Sequence, residues 1–312
     1  MTVHLFSAPA KINLSLRIVG RRDDGFHLLQ TVMSTVSLFD GLAVTPNREG
    51  RLSLEVLPEL DIAAKDNLVM KGMVALREQA GDSTLGASVR LYKRIPSQAG
   101  LGGGSSDVAT ILLALNRLWK LNLPLKELIP LGVRLGADVP IFLGGTAAWA
   151  EGVGERLTPL RNPPSLPLVL INPGTSLSTP HVFRTYAGQL TNFSPRTSMP
   201  LSDGDEAWSE LETMQNDLQD AAIELDPEIN ATLQALTAAG ARVVRMSGSG
   251  STVFGLFSSD RQAWQAAESV RKHHPQWRVY PARTLPLHPF LQEEREQLSP
   301  PPAASSAVRG SE

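Results

Sequence analysis

Pro96, Ser97, Gln98, Ala99, Gly100, Leu101, Gly102, Gly103, Gly104, Ser105, Ser106 and Asp107 follow one another without interruption. Four of the five positions from 100 to 104 are glycine, and the stretch runs straight into Val108, Ile111, Leu112, Leu115, Leu118 and Trp119. Those apolar residues recur at spacings of three and four, which predicts one buried face of a helix. Glycine admits positive φ and lets backbone come close to a ligand, so consecutive N–H groups can converge on an anion. The start of a helix adds unpaired N–H donors and the positive end of its dipole. The stretch is therefore built like a phosphate-binding loop. A plain turn with Ser105 or Ser106 as N-cap is the simpler reading, but an ordinary cap does not need so many glycines ahead of it.

Two better-known glycine loops do not fit. The chain has no G-x-x-x-x-G-K-[ST], and a dinucleotide fingerprint begun at Gly100 would need glycine where Ser105 stands. The 312 residues are enough for two domains with cores. A net charge of −2 argues against general nucleic-acid binding. The absence of cysteine excludes disulfides and any cysteine-ligated metal. No apolar run approaches a membrane span and Met1-Thr2-Val3-His4 lacks a targeting pattern, so a cytoplasmic protein is expected.

Ile12, Leu14, Leu16 and Ile18 alternate with Lys11, Asn13, Ser15 and Arg17, which predicts a half-buried strand. Lys11 and Asn13 then share a face about 7 Å apart; a solvated lysine is the competing reading. Phe26 and His27 follow a turn at Arg21–Gly25, where an aromatic pair can stack a ring, although a lone histidine is more often structural. Asn67 and Gly81 predict the ends of a helix over 68–80, and Val89 and Leu91 a strand feeding the glycine loop. After a helix over 125–135, Pro140 holds Val139 out of helical space and places Asp138 at a helix boundary. Asp138 is either a turn-forming aspartate or a carboxylate held in a cleft to accept a proton.

A proline-rich stretch at 158–164 predicts a domain boundary. Beyond it come a strand over 166–171, a short helix from Thr179-Pro180 carrying Val182 and Phe183, and a polar loop over 188–206. Helices over 207–224 and 227–239 and a strand at 242–246 lead to Ser247-Gly248-Ser249-Gly250-Ser251. A strand over 252–257, a helix over 260–273 and a strand near 277–283 complete a ferredoxin-like order. From 290 onward, with Pro300-Pro301-Pro302, a disordered tail is expected.

Pro9-Ala10-Lys11-Ile12-Asn13-Leu14, the loop Gly100–Asp107 and Met246–Ser251 together resemble the GHMP superfamily of small-molecule kinases. Gly20–His27 and Gly136-Ala137-Asp138-Val139-Pro140 sharpen the likeness, which spans about residues 5–285. It implies an α+β fold: an α/β ATP-binding domain over 1–157 and a ferredoxin-like domain over 165–285. It further implies ATP-dependent phosphorylation, at the 2-hydroxyl, of 4-diphosphocytidyl-2-C-methyl-D-erythritol in the non-mevalonate isoprenoid pathway. Lys11 and Asp138 match the catalytic pair and Pro96–Ser106 the ATP-phosphate loop. Asn13, Phe26 and His27 match substrate-holding positions, and Phe183 is a second aromatic for the cytosine. Gly248, Ser249, Gly250 and Ser251 match the third motif. Position 26 is commonly tyrosine in these kinases, so Phe26 keeps the stacking face and loses a hydroxyl. Mg²⁺ is expected with ATP, with Ser105 or Ser106 as its protein partner, and the chain as a monomer or homodimer. A GHMP kinase for another alcohol, or an inactive ligand-sensing relative, are the alternative readings.

Overall fold

A computed structural model describes residues 2–59, 62–145, 147–189, 192–198 and 205–291. Its organising hairpin is β1 (His4–Arg21) against β2 (His27–Asn47), antiparallel along nearly their whole lengths. β3 (Leu52–Leu57) lies parallel to β4 (Gly86–Tyr92), which pairs with the far end of β2. β5 (Ala148–Gly152) joins the near end of β2 and carries β6 (Arg156–Pro159). The helices of this half are α1 (Leu68–Ala80), α2 (Gly103–Leu118), α3 (Leu125–Leu135) and α4 (Val139–Gly144). Their ends follow the local chemistry: the Asn67 side chain accepts from Val69 N at 2.9 Å, and Gly81 ends α1 at φ 67°. One core cluster under these helices includes Met73, Leu76, Val108, Ile111, Leu112 and Phe142.

The second half contains β7 (Pro167–Asn172), α5 (Thr179–Gln189), α6 (Asp205–Thr213), α7 (Gln219–Leu225) and α8 (Glu228–Ala238). It ends in β8 (Val243–Met246), β9 (Val253–Leu256), α9 (Asp260–His273) and β10 (Arg278–Leu285). The strand order β10-β7-β9-β8, antiparallel throughout, is the ferredoxin-like arrangement read from the sequence. The end of β10 pairs Thr284 with Val36 of β2 and so joins the two sheets. A shared core mixes Ala10, Ile12 and Leu14 with Leu168, Leu170 and Phe254. No helix among the described residues is long and apolar enough to cross a membrane.

Four details depart from the sequence reading. β1 is buried on both faces, Lys11 being 5% and Asn13 3% exposed, because the glycine loop and the second half together cover the polar side. The register shifts between Asn13 and Ser15, so the alternation is not continuous across Leu14. The helix expected over 207–224 breaks into α6 and α7, where Gln215–Asp217 instead run along β1: Leu16 N donates to Gln215 O and Asp217 N to Leu16 O. The Asn216 side chain holds the turn ahead of α7 by accepting from Leu218 N at 3.0 Å. Phe290 is buried, 5.8 Å from the Phe6 ring, so the chain is still packed where a tail was expected; residues 292–312 lie outside the described ones.

Candidate active site

Three backbone segments distant in sequence are bonded to one another around Lys11 and Asn13. Lys11 N donates to Leu101 O at 2.9 Å, and Asn13 N donates to the Ser247 hydroxyl at 3.2 Å. That hydroxyl in turn donates to Gly100 O at 2.9 Å, while Thr252 N donates to Ala99 O. The approach is possible only for glycine. Gly100 has φ 74°, and a Cβ there would lie 2.2 Å from Ser247 O; Gly102 has φ 66°, and a Cβ there would lie 3.0 Å from Lys11 Cγ. Asn216 fixes the third segment from behind, its amide donating to Met246 O and Gly248 O at 2.8 Å each.

These segments wall a cleft of about 1080 Å³. Gly102 caps α2 without any side-chain hydrogen bond, so no side chain of the cap occupies the N–H groups at the helix start. Pro96, Ser97, Gln98, Ala99, Gly100, Gly102, Gly103, Gly104 and Ser105 all line the cleft. Leu101 and Ser106 do not: both side chains are buried in the fold, and Leu101 contributes only its carbonyl. Gln98 holds φ 52°, a conformation glycine favours, which is how the loop closes with fewer glycines at its start.

Asp138 sits at the start of α4, and its carboxylate makes no capping bond. It faces the cleft instead, 3.6 Å from Lys11 Nζ and 39% exposed, while the ammonium also donates to Asn13 Oδ1 at 2.6 Å. Asn13 is held by donating from its amide to Thr31 Oγ1 at 2.9 Å. The strand face read from the sequence thus delivers a buried cation and an oriented amide beside a reachable carboxylate.

At the opposite end of the cleft, the His27 and Phe183 rings stack with centroids 5.2 Å apart and planes 25° from parallel. Burial, and then the Arg21 charge, lower the His27 pKa. Phe26 lines the same end and is 63% exposed. Gly248, Ser249 and Gly250 close one side, with Thr179 Oγ1 2.8 Å from Ser249 Oγ; Ser251 is buried behind them and donates to Thr175 O.

Sequence reasoning missed Lys93. Its ammonium pairs with Asp40 and, at 2.6 Å, with Asp107, beneath the first turn of α2 and on the cleft wall. Burial works against this ammonium, yet Asp107 and Asp40 together raise its pKa. Asp40 also accepts from Arg94 N and Ile95 N, tying the entry of the glycine loop to β2. Among the described residues no group of three or more His, Cys, Asp or Glu side chains is placed to hold a metal ion.

Residues 67–146 match the family of GHMP kinases N terminal domains and residues 204–276 that of GHMP kinases C terminal domains. Fold and cleft are therefore those of a GHMP small-molecule kinase, an enzyme class that uses ATP. The 4-diphosphocytidyl-2-C-methyl-D-erythritol kinase of Paramagnetospirillum magneticum is 41% identical over 91% of this chain and 100% of the relative. That of Xanthomonas campestris is 42% identical over 90% of this chain and 91% of the relative. A crystal structure of 4-(cytidine 5'-diphospho)-2C-methyl-D-erythritol kinase superposes with a TM-score of 0.78 at 38% identity, covering 90% of this chain and 100% of the other. A homoserine kinase from Cytophaga hutchinsonii, at 17% identity and TM-score 0.69 over 92% and 96% of the two chains, shares the fold. The chain belongs to the 4-diphosphocytidyl-2-C-methyl-D-erythritol kinase family.

Proposed function

We propose that this chain transfers the γ-phosphoryl group of ATP to the 2-hydroxyl of 4-diphosphocytidyl-2-C-methyl-D-erythritol, a step toward isoprenoid precursors by the non-mevalonate route. The observation that carries this reading is the Lys11–Asp138 pair, set in one cleft with both the glycine loop and the His27–Phe183 stack. ATP phosphates rest against the N–H groups of Gly102–Ser105 and the start of α2. The cytosine lies on the aromatic platform of Phe26, His27 and Phe183, with Asn13 beside the acceptor alcohol.

Phosphoryl transfer asks the protein for positioning and charge stabilisation rather than covalent help. Asp138 takes the proton of the 2-hydroxyl as its oxygen bonds to the γ-phosphorus. The bond from that phosphorus to the bridging oxygen breaks, and ADP leaves with the electron pair. Lys11, held by Asn13, keeps positive charge beside the carboxylate and the incoming phosphoryl group. General-base assistance contributes on the order of 10²–10⁴-fold, and positioning and electrostatics supply the remainder.

Near the glycine loop the cleft lining includes the oxygen-bearing side chains of Ser105 and Asp138, the donor type a hard cation such as Mg²⁺ carried on ATP takes. Bound there, Mg²⁺ would supply charge neutralisation for the transferring phosphoryl group. Ser105 is the protein group suited to hold it: its hydroxyl faces the Gly136–Asp138 turn, 3.5 Å from where a Cβ on Gly136 would lie. Ser106, buried, is not so placed. In this reading residues 1–157 form the nucleotide-binding domain, residues 165–285 the C-terminal domain, and the enzyme works in the cytoplasm.

The test is a reaction of the purified protein with ATP and the cytidyl diphosphate substrate, the product read by phosphorus NMR. Phosphate at the 2-hydroxyl is the expected result. Binding without ATP turnover, or phosphate at another hydroxyl, contradicts the proposal.

A further inference from the structure

Four basic side chains line the cleft: Lys11, Lys93, Arg21 and Arg184. Lys11 is paired with Asp138, and Lys93 with Asp40 and Asp107. Among the described residues neither Arg21 nor Arg184 has a carboxylate within ion-pairing distance. Each of these two arginines is the neighbour of one ring of the aromatic stack, Arg21 across the hairpin and Arg184 along the helix. Arg21 ends β1 and pairs across the hairpin with His27, which puts both side chains on one face of the sheet. Arg184 follows Phe183 on α5, whose ring lies on His27. The charge of Arg21 is felt by the His27 imidazole, an independent sign of their proximity.

We propose that Arg21 and Arg184 form a guanidinium clamp for the diphosphate of a nucleoside diphosphate substrate whose base lies against His27 and Phe183. The inference rests on the cytidyl-substrate reading above and assigns what holds the diphosphate. Arg21 Nε is spent on Gly25 O at 3.2 Å, which steadies the fork and leaves its terminal N–H groups for a ligand. Guanidinium donors match phosphate oxygens in pairs, which ammonium does not. The glycine loop and α2 N-terminus stand ready for the triphosphate of ATP, so the two anionic groups have separate partners. A base on the aromatic end and a diphosphate between the arginines leave the alcohol to run toward Lys11 and Asp138.

Calorimetric titration of cytidine and CDP into the wild type, Arg21→Gln, Arg184→Gln and the double variant tests the clamp. The wild type should prefer CDP to cytidine. Each substitution should weaken CDP by about 10-fold, the worth of one charge-assisted contact, while cytidine changes less than about twofold. In the double variant the preference for CDP should vanish, and the KM for ATP should stay at its wild-type value. A double variant that keeps the wild-type ratio of CDP to cytidine affinity overturns the proposal. Equal loss of both ligands also overturns it, because the arginines would then be supports of the platform. If the wild type binds neither compound, the cytidyl-substrate reading itself fails, an outcome distinct from failure of the clamp alone.

Discussion

Replacing Gly100 by alanine puts the convergence of the two glycine loops to a quantitative test. The new Cβ would stand 2.2 Å from Ser247 O and 3.2 Å from Gly250 O, both backbone atoms that no rotamer change can move. A tolerable carbon–oxygen contact is about 3.3 Å, so the loops must part by about 1 Å. The backbone at φ 74° adds roughly 1–2 kcal/mol for a non-glycine residue, and loss of the Ser247 Oγ–Gly100 O bond adds about 1 kcal/mol. The fold should therefore lose roughly 2–3 kcal/mol, seen as a drop of roughly 3–5 °C in Tm by calorimetry. A displacement of about 1 Å at a positioning loop costs on the order of 10²-fold in rate, so kcat/KM for ATP should fall by that factor. Gly104→Ala is the contrast: its Cβ would meet only Leu68 Cδ1 at 3.5 Å, and stability should not fall. If Gly100→Ala keeps the wild-type Tm and a kcat/KM within threefold of wild type, the loops do not meet as described.

Phe26→Ala should weaken the cytidyl substrate by roughly 5–30-fold in a calorimetric titration, from a stacking contribution of about 1–2 kcal/mol, and leave ATP unchanged; equal weakening of both ligands contradicts the platform. Asn216→Ala strips two hydrogen bonds from the carbonyls of Met246 and Gly248. It should lower stability by about 2 kcal/mol and raise the KM for ATP, whereas an unchanged KM would separate this residue from the nucleotide side. His288 is fully buried, and burial depresses its pKa from 6.5 to about 4. The unfolded chain therefore takes up this proton first: stability is full above about pH 6.5 and falls by about 3 kcal/mol as the pH drops to 4. Urea unfolding of His288→Gln across that range should show a shallower loss, and an equally steep one would assign the acid sensitivity elsewhere.

The glycine loop was legible because backbone N–H groups can gather around an anion only where side chains are missing, and the sequence shows that lack directly. The helix at 68–80 was legible for the same local reason, since Asn67 and Gly81 carry the chemistry of its two ends. Lys93 was not. In Tyr92-Lys93-Arg94 it reads as a solvated charge, and its partners Asp40 and Asp107 reach it only after the fold brings β2, β4 and α2 together. The burial of Lys11 and Asn13 was likewise invisible, because the segments that cover them lie more than 80 residues away in the glycine loop and more than 200 away at Ser247. Asn216 left a local trace: adjacent Asn216 and Asp217 interrupt an otherwise helical run, a recognised turn-forming pair. What the trace did not reveal was the purpose of the break, which is to lay Gln215–Asp217 along β1 and hold the third loop.

Whether the cleft works through the Asp138 carboxylate is decided by the Asp138→Asn substitution. The substitution keeps the shape of the side chain and removes its capacity to accept the proton. Turnover should be measured alongside calorimetric affinities for ATP and the cytidyl substrate. A kcat lower by about 10²–10⁴-fold is expected, with both affinities within a few-fold of wild type. A near-normal kcat would contradict it and return Asp138 to the role of a turn-forming residue at the start of α4.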